Sequence, residues 1–413
     1  MKTRIIIGLS AVAVIFGVMP AFAGAAALTH DDCYRLALKQ SESIAIDGQK
    51  IEEAKAHFLQ AFGAILPHVS FARSDSRRGF ETSSLGKSGF EAGFVFTQTL
   101  FSGFKEFAAM HSSRLEEKQR EKEKLRAQEL LAFDVSDDFY LLLETRRNLM
   151  IAQTIKETLS NRLVDLTARV NIGKSRPSEV ASTQVQFFQA ADDVAALRAQ
   201  ERVARELLEF LTGQKIDRLI EDKFDVVIKN EDQYLNLAAL RLDVQAADLA
   251  WQASRDNVTI AKGGLLPSVS LQANYTRHSS TTPQSERKWS GVLTIDIPIM
   301  EGTTVWGEIK EAQAQAHQNR LALSLLNRVA RQEIHDAYVN MRIALTRRAI
   351  LEKALKAAVE NYNLQAEDYK RNVVNNLDVL SAIQSLSTTR KNYIHMVYET
   401  KRRYRELLTA CGG

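Results

Sequence analysis

The chain states one plan twice, and any fold for it has to contain that plan two times over. Ile65-Leu66-Pro67-His68-Val69-Ser70-Phe71 returns as Leu265-Leu266-Pro267-Ser268-Val269-Ser270-Leu271. Arg205-Glu206-Leu207-Leu208 returns as Arg405-Glu406-Leu407-Leu408. Both pairs are 200 positions apart, so the copies share an architecture as well as scattered residues.

Within each copy the hydrophobic period changes in the same order. Residues 29–62 are rich in Ala, Leu, Lys, Glu and Gln, good helix formers, and Leu66-Pro67 ends that helix. Val69 and Phe71 then alternate with polar or small residues. Beyond a polar stretch at 74–89, Phe94, Phe96 and Leu100 alternate with Val95, Thr97 and Thr99. In the second copy Val269, Leu271, Ala273 and Tyr275 alternate with Ser270, Gln272, Asn274 and Thr276, and Trp289, Leu293, Ile295 and Ile297 with Ser290, Val292, Thr294 and Asp296. Period two with one apolar face marks half-buried strands, expected at about 68–78, 90–101, 268–279 and 288–300. Runs near 10 residues fit tilted strands that cross a bilayer. Trp289, at a strand start, reads as an aromatic-belt residue or as ordinary sheet packing.

Beyond the strands the chain is helix on a larger scale. Residues 104–171 hold no proline and no glycine, and 303–372 are interrupted only by Gly307. Each would run to roughly 100 Å. Val135, Phe139, Leu142, Leu149, Ala152, Ile155, Leu159, Leu163, Leu166 and Val170 step mostly by three, four or seven, a coiled-coil-like seam that asks for long antiparallel packing. The helices break at Asn171-Ile172-Gly173-Lys174-Ser175-Arg176-Pro177 and over 372–377, then return over 178–211 and 378–410. The expected division is a first repeat at 24–213, a linker at 214–230 and a second repeat at 231–413.

Residues 1–23 read as a secretory signal, with Lys2 and Arg4 ahead of the apolar run 5–18 and Ala21-Phe22-Ala23 before Gly24. Losing two cations leaves a chain of formal net charge +4 nearly neutral, with no electrostatic case for nucleic acid. No later stretch is apolar enough for a transmembrane helix. An exported chain of this kind is soluble outside the cytoplasm or crosses a membrane as strands. Its two cysteines, Cys33 and Cys411, make no disulfide framework; they either bridge the ends of the mature chain or stay free in helix packing. Four amphipathic strands leave open edges that lipid does not permit, so copies must close the barrel together. Two, three or four copies would each give an even strand number.

These features together resemble TolC-like outer-membrane efflux proteins over nearly the whole mature length. The carriers are the doubled strand–helix order, Gly264-Leu265-Leu266-Pro267-Ser268-Val269-Ser270-Leu271, Ile297-Pro298-Ile299-Met300-Glu301-Gly302 with its counterpart Gln98-Thr99-Leu100-Phe101-Ser102-Gly103, Asn171-Ile172-Gly173 before Ser178-Glu179-Val180, and Leu377-Asp378-Val379-Leu380. The resemblance implies a mixed, mainly α fold. It implies a homotrimer whose two β-hairpins per chain form a 12-stranded barrel in outer-membrane lipid, continued by a helical tunnel into the periplasm. A periplasmic adaptor (membrane fusion) protein and an inner-membrane pump are the implied partners, for efflux or type I secretion, with no cofactor, metal or catalysis.

By the same resemblance, Gly173, Lys174, Ser175, Val373, Val374 and Asn375 form the adaptor-contact tip, with Val373 in place of the tip glycine. Tyr369 helps to hold the tip closed, Ser178 and Glu179 fall at its partner positions, and Asp378 lines the constriction. Val374 stands where a gating arginine occurs in well-known members, and Ser381 where a second acid occurs, which implies a weaker gate. A ring of Asp378 carboxylates would favour cations; Asp378 reads equally well as a helix N-terminal cap. Tyr369 is equally plausible as helix packing, and Glu179 as a dipole partner after Pro177.

Other chemistries find no support. Gly173-Lys174-Ser175 lacks the earlier glycine of a phosphate loop, since Ala168 stands there, and a helix precedes it. His30-Asp31-Asp32-Cys33 is a run of neighbours and not a converging metal set. No His-Glu-x-x-His or Gly-x-Ser-x-Gly pattern occurs. The competing reading is a periplasmic or surface coiled-coil structural protein without channel activity.

Overall fold

The structure, a computed structural model, describes residues 27–413 except 81–82, 223–225, 280–285 and 301; the expected signal lies outside the described residues. The first half opens with α1 (His30–Gln40) and α2 (Glu42–Gly63). Thr29 and Asp32 form a capping box: the Thr29 hydroxyl accepts from the Asp32 N–H at 3.2 Å and the Asp32 carboxylate from the Thr29 N–H at 3.1 Å. Strands β1 (His68–Phe80) and β2 (Ser83–Ser102) lead to α3 (Lys105–Asn171) and α4 (Pro177–Thr212). The second half runs α5 (Glu231–Leu235), a 3₁₀ turn at Ala238–Leu240, α6 (Leu242–Lys262), β3 (Ser268–Ser279), β4 (Glu286–Asp296), α7 (Thr304–Lys370) and α8 (Asn376–Cys411).

The long helices match in length. α3 and α7 have 67 residues each and α4 and α8 have 36 each, about 100 Å and 54 Å of helix. Their ends fall 199 positions apart, not 200 (Lys105 and Thr304; Pro177 and Asn376). Buried positions follow the same offset: Leu131 and Ala330, Val135 and Ile334, Phe139 and Tyr338, Leu142 and Met341, Leu208 and Leu407. The Arg-Glu-Leu-Leu match at 200 is therefore one residue out of helical register, pairing buried Leu208 with the wrong leucine. The first hairpin holds the additional residue in its turn: Arg78 pairs with Lys87, nine positions on, where the equivalent His278 pairs with Glu286, eight positions on.

The four strands form one antiparallel sheet in the order β1-β2-β3-β4. Three strands differ from their expected bounds. β1 and β2 continue through the polar stretch to within two residues of each other, because hairpin pairing outweighs composition. β4 stops at Asp296, ahead of Pro298, which has no N–H for a ladder. Asp296 sits opposite Ser268 on the polar face. The strand-to-helix corner needs Gly103: its φ is +70°, and a Cβ there would lie 2.4 Å from the Gly263 carbonyl oxygen.

α3 is flanked on both sides, packing against α2, α4, α6 and α8, whereas α7 packs against α6 and α8 and leaves its far side open. One core gathers Cys33, Ala37, Val135, Phe139, Tyr140, Leu208 and Ile216. A second gathers Ala330, Ile334, Tyr338, Met341, Leu407 and Cys411. Cys33 and Cys411 are free, buried thiols in these separate cores, so they form no bridge, and burial pushes both up to about 11. The segment between the halves is anchored near its middle. Lys401 donates to Glu221 at 3.1 Å and to the Asp222 carbonyl at 2.9 Å, while the Tyr140 hydroxyl donates to Asp222 at 2.7 Å.

Candidate functional site

The two helix reversals lie together at the end of the molecule remote from the sheet. At the first, α3 ends at Asn171, Gly173 takes φ +72°, and the Lys174 N–H reaches back to the Arg169 carbonyl at 2.8 Å. Pro177 then occupies the first position of α4. At the second, Asn372 takes φ +58° and the Val373 N–H reaches the Asp368 carbonyl at 2.9 Å. The left-handed residue equivalent to Gly173 is thus Asn372 and not Val373, a correction that comes from the 199-residue register. Asparagine tolerates this conformation better than any β-branched residue. Val373 is exposed, and Val374 is half-buried at the edge of the cluster that holds Ile155, Leu159, Val379 and Ile383.

Glu179 and Asp378 occupy the same third position of α4 and α8. Each carboxylate is used locally. Asp378 accepts from the Asn375 N–H at 3.1 Å while the Asn375 side chain accepts from the Asp378 N–H at 3.1 Å, a capping box. Glu179 accepts from the Ser175 hydroxyl at 2.5 Å. Ser178 and Lys174 are exposed. The helix-start role of Asp378 is therefore present within one chain; a ring role needs further copies. Ser381 lines a hydroxyl- and amide-rich groove between α4 and α8 with Ser182, Gln186, Gln384, Ser385 and Thr388.

Tyr369 makes no hydrogen bond to Ser178 or Glu179. Its ring is instead covered by two cations from α3: the Arg162 guanidinium lies 4.3 Å and that of Arg169 5.0 Å from its centre. Arg162 is the residue that sequence reasoning missed. Its Nε donates to the Asn376 side chain at 2.6 Å; Asn376 donates to Thr183 at 2.9 Å and to the Glu179 carbonyl at 3.2 Å. Asn376 and Thr183 are fully buried, and burial works against the Arg162 charge, leaving its Nη2 without a partner. One polar chain thus ties α3, α4, α7 and α8 together just above the tip. The signal was legible: Arg162 is a cation set between Leu159 and Leu166 on an otherwise apolar seam.

Among the described residues no cluster of His, Cys, Asp and Glu could hold a metal ion, and no helix is long and apolar enough to cross a membrane. What the site contains is a buried polar network beside two helix reversals.

Comparison with known proteins gives these features a context. The family model for Outer membrane efflux protein matches residues 33–214 and 234–413. Outer membrane protein TolC of Vibrio cholerae is 21% identical over 367 residues, 82% of this chain and 82% of that protein. Among solved structures, a crystal structure of CusC superposes with a TM-score of 0.85 at 18% identity, covering 94% of this chain and 93% of that one. The outer membrane protein VceC of Vibrio cholerae superposes with a TM-score of 0.82 at 18% identity, covering 93% and 96%.

Proposed function

The chain belongs to the outer membrane efflux protein family, and from that premise we propose that it is the outer-membrane duct of a tripartite efflux or type I secretion system. Three copies of the four-stranded sheet would close a 12-stranded barrel in lipid. The helices would continue the passage through the periplasm. A periplasmic adaptor would engage the tip turns, Gly173-Lys174-Ser175 and Val373-Val374-Asn375, and an inner-membrane pump would supply the energy. The chain does no chemistry in this reading. The signal, the two repeats and the linker have the bounds given above.

The observation that carries the reading is where the apolar surface lies. α7 exposes Leu321, Leu325, Val339, Ile343 and Ile350 on the side that has no neighbour, and α4 exposes Val185, Phe188, Val203, Leu207 and Phe210. Isolated exposed apolar residues are ordinary; two facing stripes on the open edges of one molecule are a docking surface. If the halves are equivalent, contacts of α3 with α8 within the chain foretell contacts of α7 with α4 of the next copy. Arg126 donates to the Thr409 carbonyl at 2.7 Å and Arg402 to Glu144 at 2.7 Å. Shifted by 199, these pairs become Leu325 with Phe210 and Ile343 with Val203, each with its partner on the next subunit. All four side chains are at least half exposed in the single chain. The same rule sets β4 beside β1 of the next copy.

At the tip, Arg162, Asn376 and Tyr369 would hold the two hairpins of one chain together in the closed state, with Glu179, Ser178 and the three Asp378 side chains around the opening. The test is conductance. The purified protein in planar bilayers should give stable single-channel currents, and Arg162→Ala should raise the open fraction. Recovery as a carbonate-washable protein without currents would favour the coiled-coil structural alternative.

A further inference from the structure

We propose that the lipid-facing side of the sheet carries a binding row for the phosphates of anionic lipid headgroups, built by Arg73, Arg277 and Arg287. The inference rests on the duct reading, which sets the hairpin ends on the side of the membrane away from the helices.

The argument is a matter of register. Phe71 pairs with Phe94, Phe94 with Tyr275, and Tyr275 with Trp289. Side chains on one row of a sheet share a face, so four aromatics, one from each strand, lie side by side. All four are more than half exposed. Leu271, Leu293, Val269 and Ile295 continue the same face toward the helices. This is the side that meets hydrocarbon, with the aromatic row at its upper border.

The next row on that face, one pleat nearer the hairpin ends, runs Arg73, Ala92, Arg277, Arg287. All three arginines are exposed. Arg277 and Arg287 are directly opposite each other, where like charges repel. Between Arg73 and Arg277 stands alanine, leaving a gap two strand spacings wide, about 10 Å, walled by guanidinium groups. Arg73 forks onto Asp75 through Nε and Nη2, at 3.2 and 3.1 Å, and lies 5.2 Å over the Phe90 ring. Asp75 is the one acid among the described residues on this stretch of the face. A row of cations one pleat beyond an aromatic belt falls at headgroup depth, and guanidinium matches phosphate two bonds at a time. Three copies would set Arg287 of each chain beside Arg73 of the next and close the row into a ring.

Retention of lipids by the purified trimer, followed by native mass spectrometry, tests this. Phosphatidylglycerol should be held at least about tenfold more tightly than phosphatidylcholine, and the preference should fall with salt. The double variant Arg277→Gln, Arg287→Gln should lose about tenfold in phosphatidylglycerol retention with phosphatidylcholine unchanged, and the Arg→Lys pair should keep most of it. Equal retention of the two lipids by the unaltered protein would overturn the proposal. So would an unchanged preference in the glutamine variant, or full displacement by millimolar inorganic phosphate, which would mark a free-anion site. Should the glutamine variant fail to assemble, the two-lipid comparison and the lysine variant still decide. A conducting trimer without lipid preference sinks only this inference; absence of trimer or current sinks the duct reading.

Discussion

α3 and α7 are equivalent helices that differ in what covers them: α3 is packed on both sides and α7 on one. α3 meets α8 of its own chain through charge: Glu144 accepts from Arg402 at 2.7 Å and from His395 at 2.8 Å, and Arg162 reaches Asn376. At the equivalent positions α7 carries Ile343 and Asn361 and faces open space. A contact within one chain is held at high effective concentration and can be made of polar groups whose net worth is small. A contact between chains has to overcome lost translational freedom, and apolar burial contributes more toward that than polar pairing does. The halves share a backbone plan and differ in the side chains along these faces, and in the proposed assembly that difference decides what each seam joins.

Placing a charge on the open seam should have the largest effect. Ile343→Asp with Leu325→Asp should weaken assembly at least about a hundredfold, read as monomers by light scattering in detergent, while helicity is kept. Next comes the inner seam. Glu144→Ala leaves Arg402 and His395 with their main partner gone, and both partners of the Glu144–Arg402 pair are under 15% exposed. It should cost about 2–3 kcal/mol in denaturant unfolding without dissociating the proposed trimer. The more exposed Lys391–Asp193 pair should be worth no more than about 0.5 kcal/mol. If the two seams responded alike to these changes, the contrast between them would fail.

The sequence carried the contrast only in part. Strands and long helices were legible because their periods differ and because 104–171 contains no glycine or proline. The register between halves was not. Four identical letters at an offset of 200 outweighed the faces they occupy, and the helix ends together with burial showed that Leu208 corresponds to Leu407. The same single-residue slip hid Asn372 as the turn residue. Arg162 escaped notice because a lone cation on a seam reads as a solvated interruption; its value comes from Asn376 and Thr183, 214 and 193 positions away from their partners.

The tip latch allows a third check. Arg162→Ala leaves buried Asn376 with an unmet acceptor and should cost about 1–3 kcal/mol. Tyr369→Phe keeps the ring under both guanidinium groups and should change stability little. A smaller effect is expected from pH. The Glu144 hydrogen bond, opposed by burial, raises the His395 pKa. The protonated ring is thus favoured in the folded state. Its contribution is fully present below the unfolded value near 6.5 and is lost as pH rises through the higher folded value. Half-exposed, it amounts to under about 1 kcal/mol after solvent screening, and His395→Gln should flatten that slope in thermal melts. The two turns should respond unequally. Gly173→Ala should cost about 1 kcal/mol, because its φ is left-handed, and Asn372→Gly should stay within a few tenths, the smallest effect of the set.

Cross-linking across the open seam is the most direct measurement of all. Cys33 and Cys411 are buried with their thiols pushed up to about 11, so they leave the background silent. Ile343→Cys combined with Val203→Cys, treated in the membrane with a short bis-maleimide, should give covalent dimer and trimer bands that neither single variant gives. Monomer bands alone, with both cysteines shown to be labelled, would contradict an assembly in which α7 of one copy seats against α4 of the next.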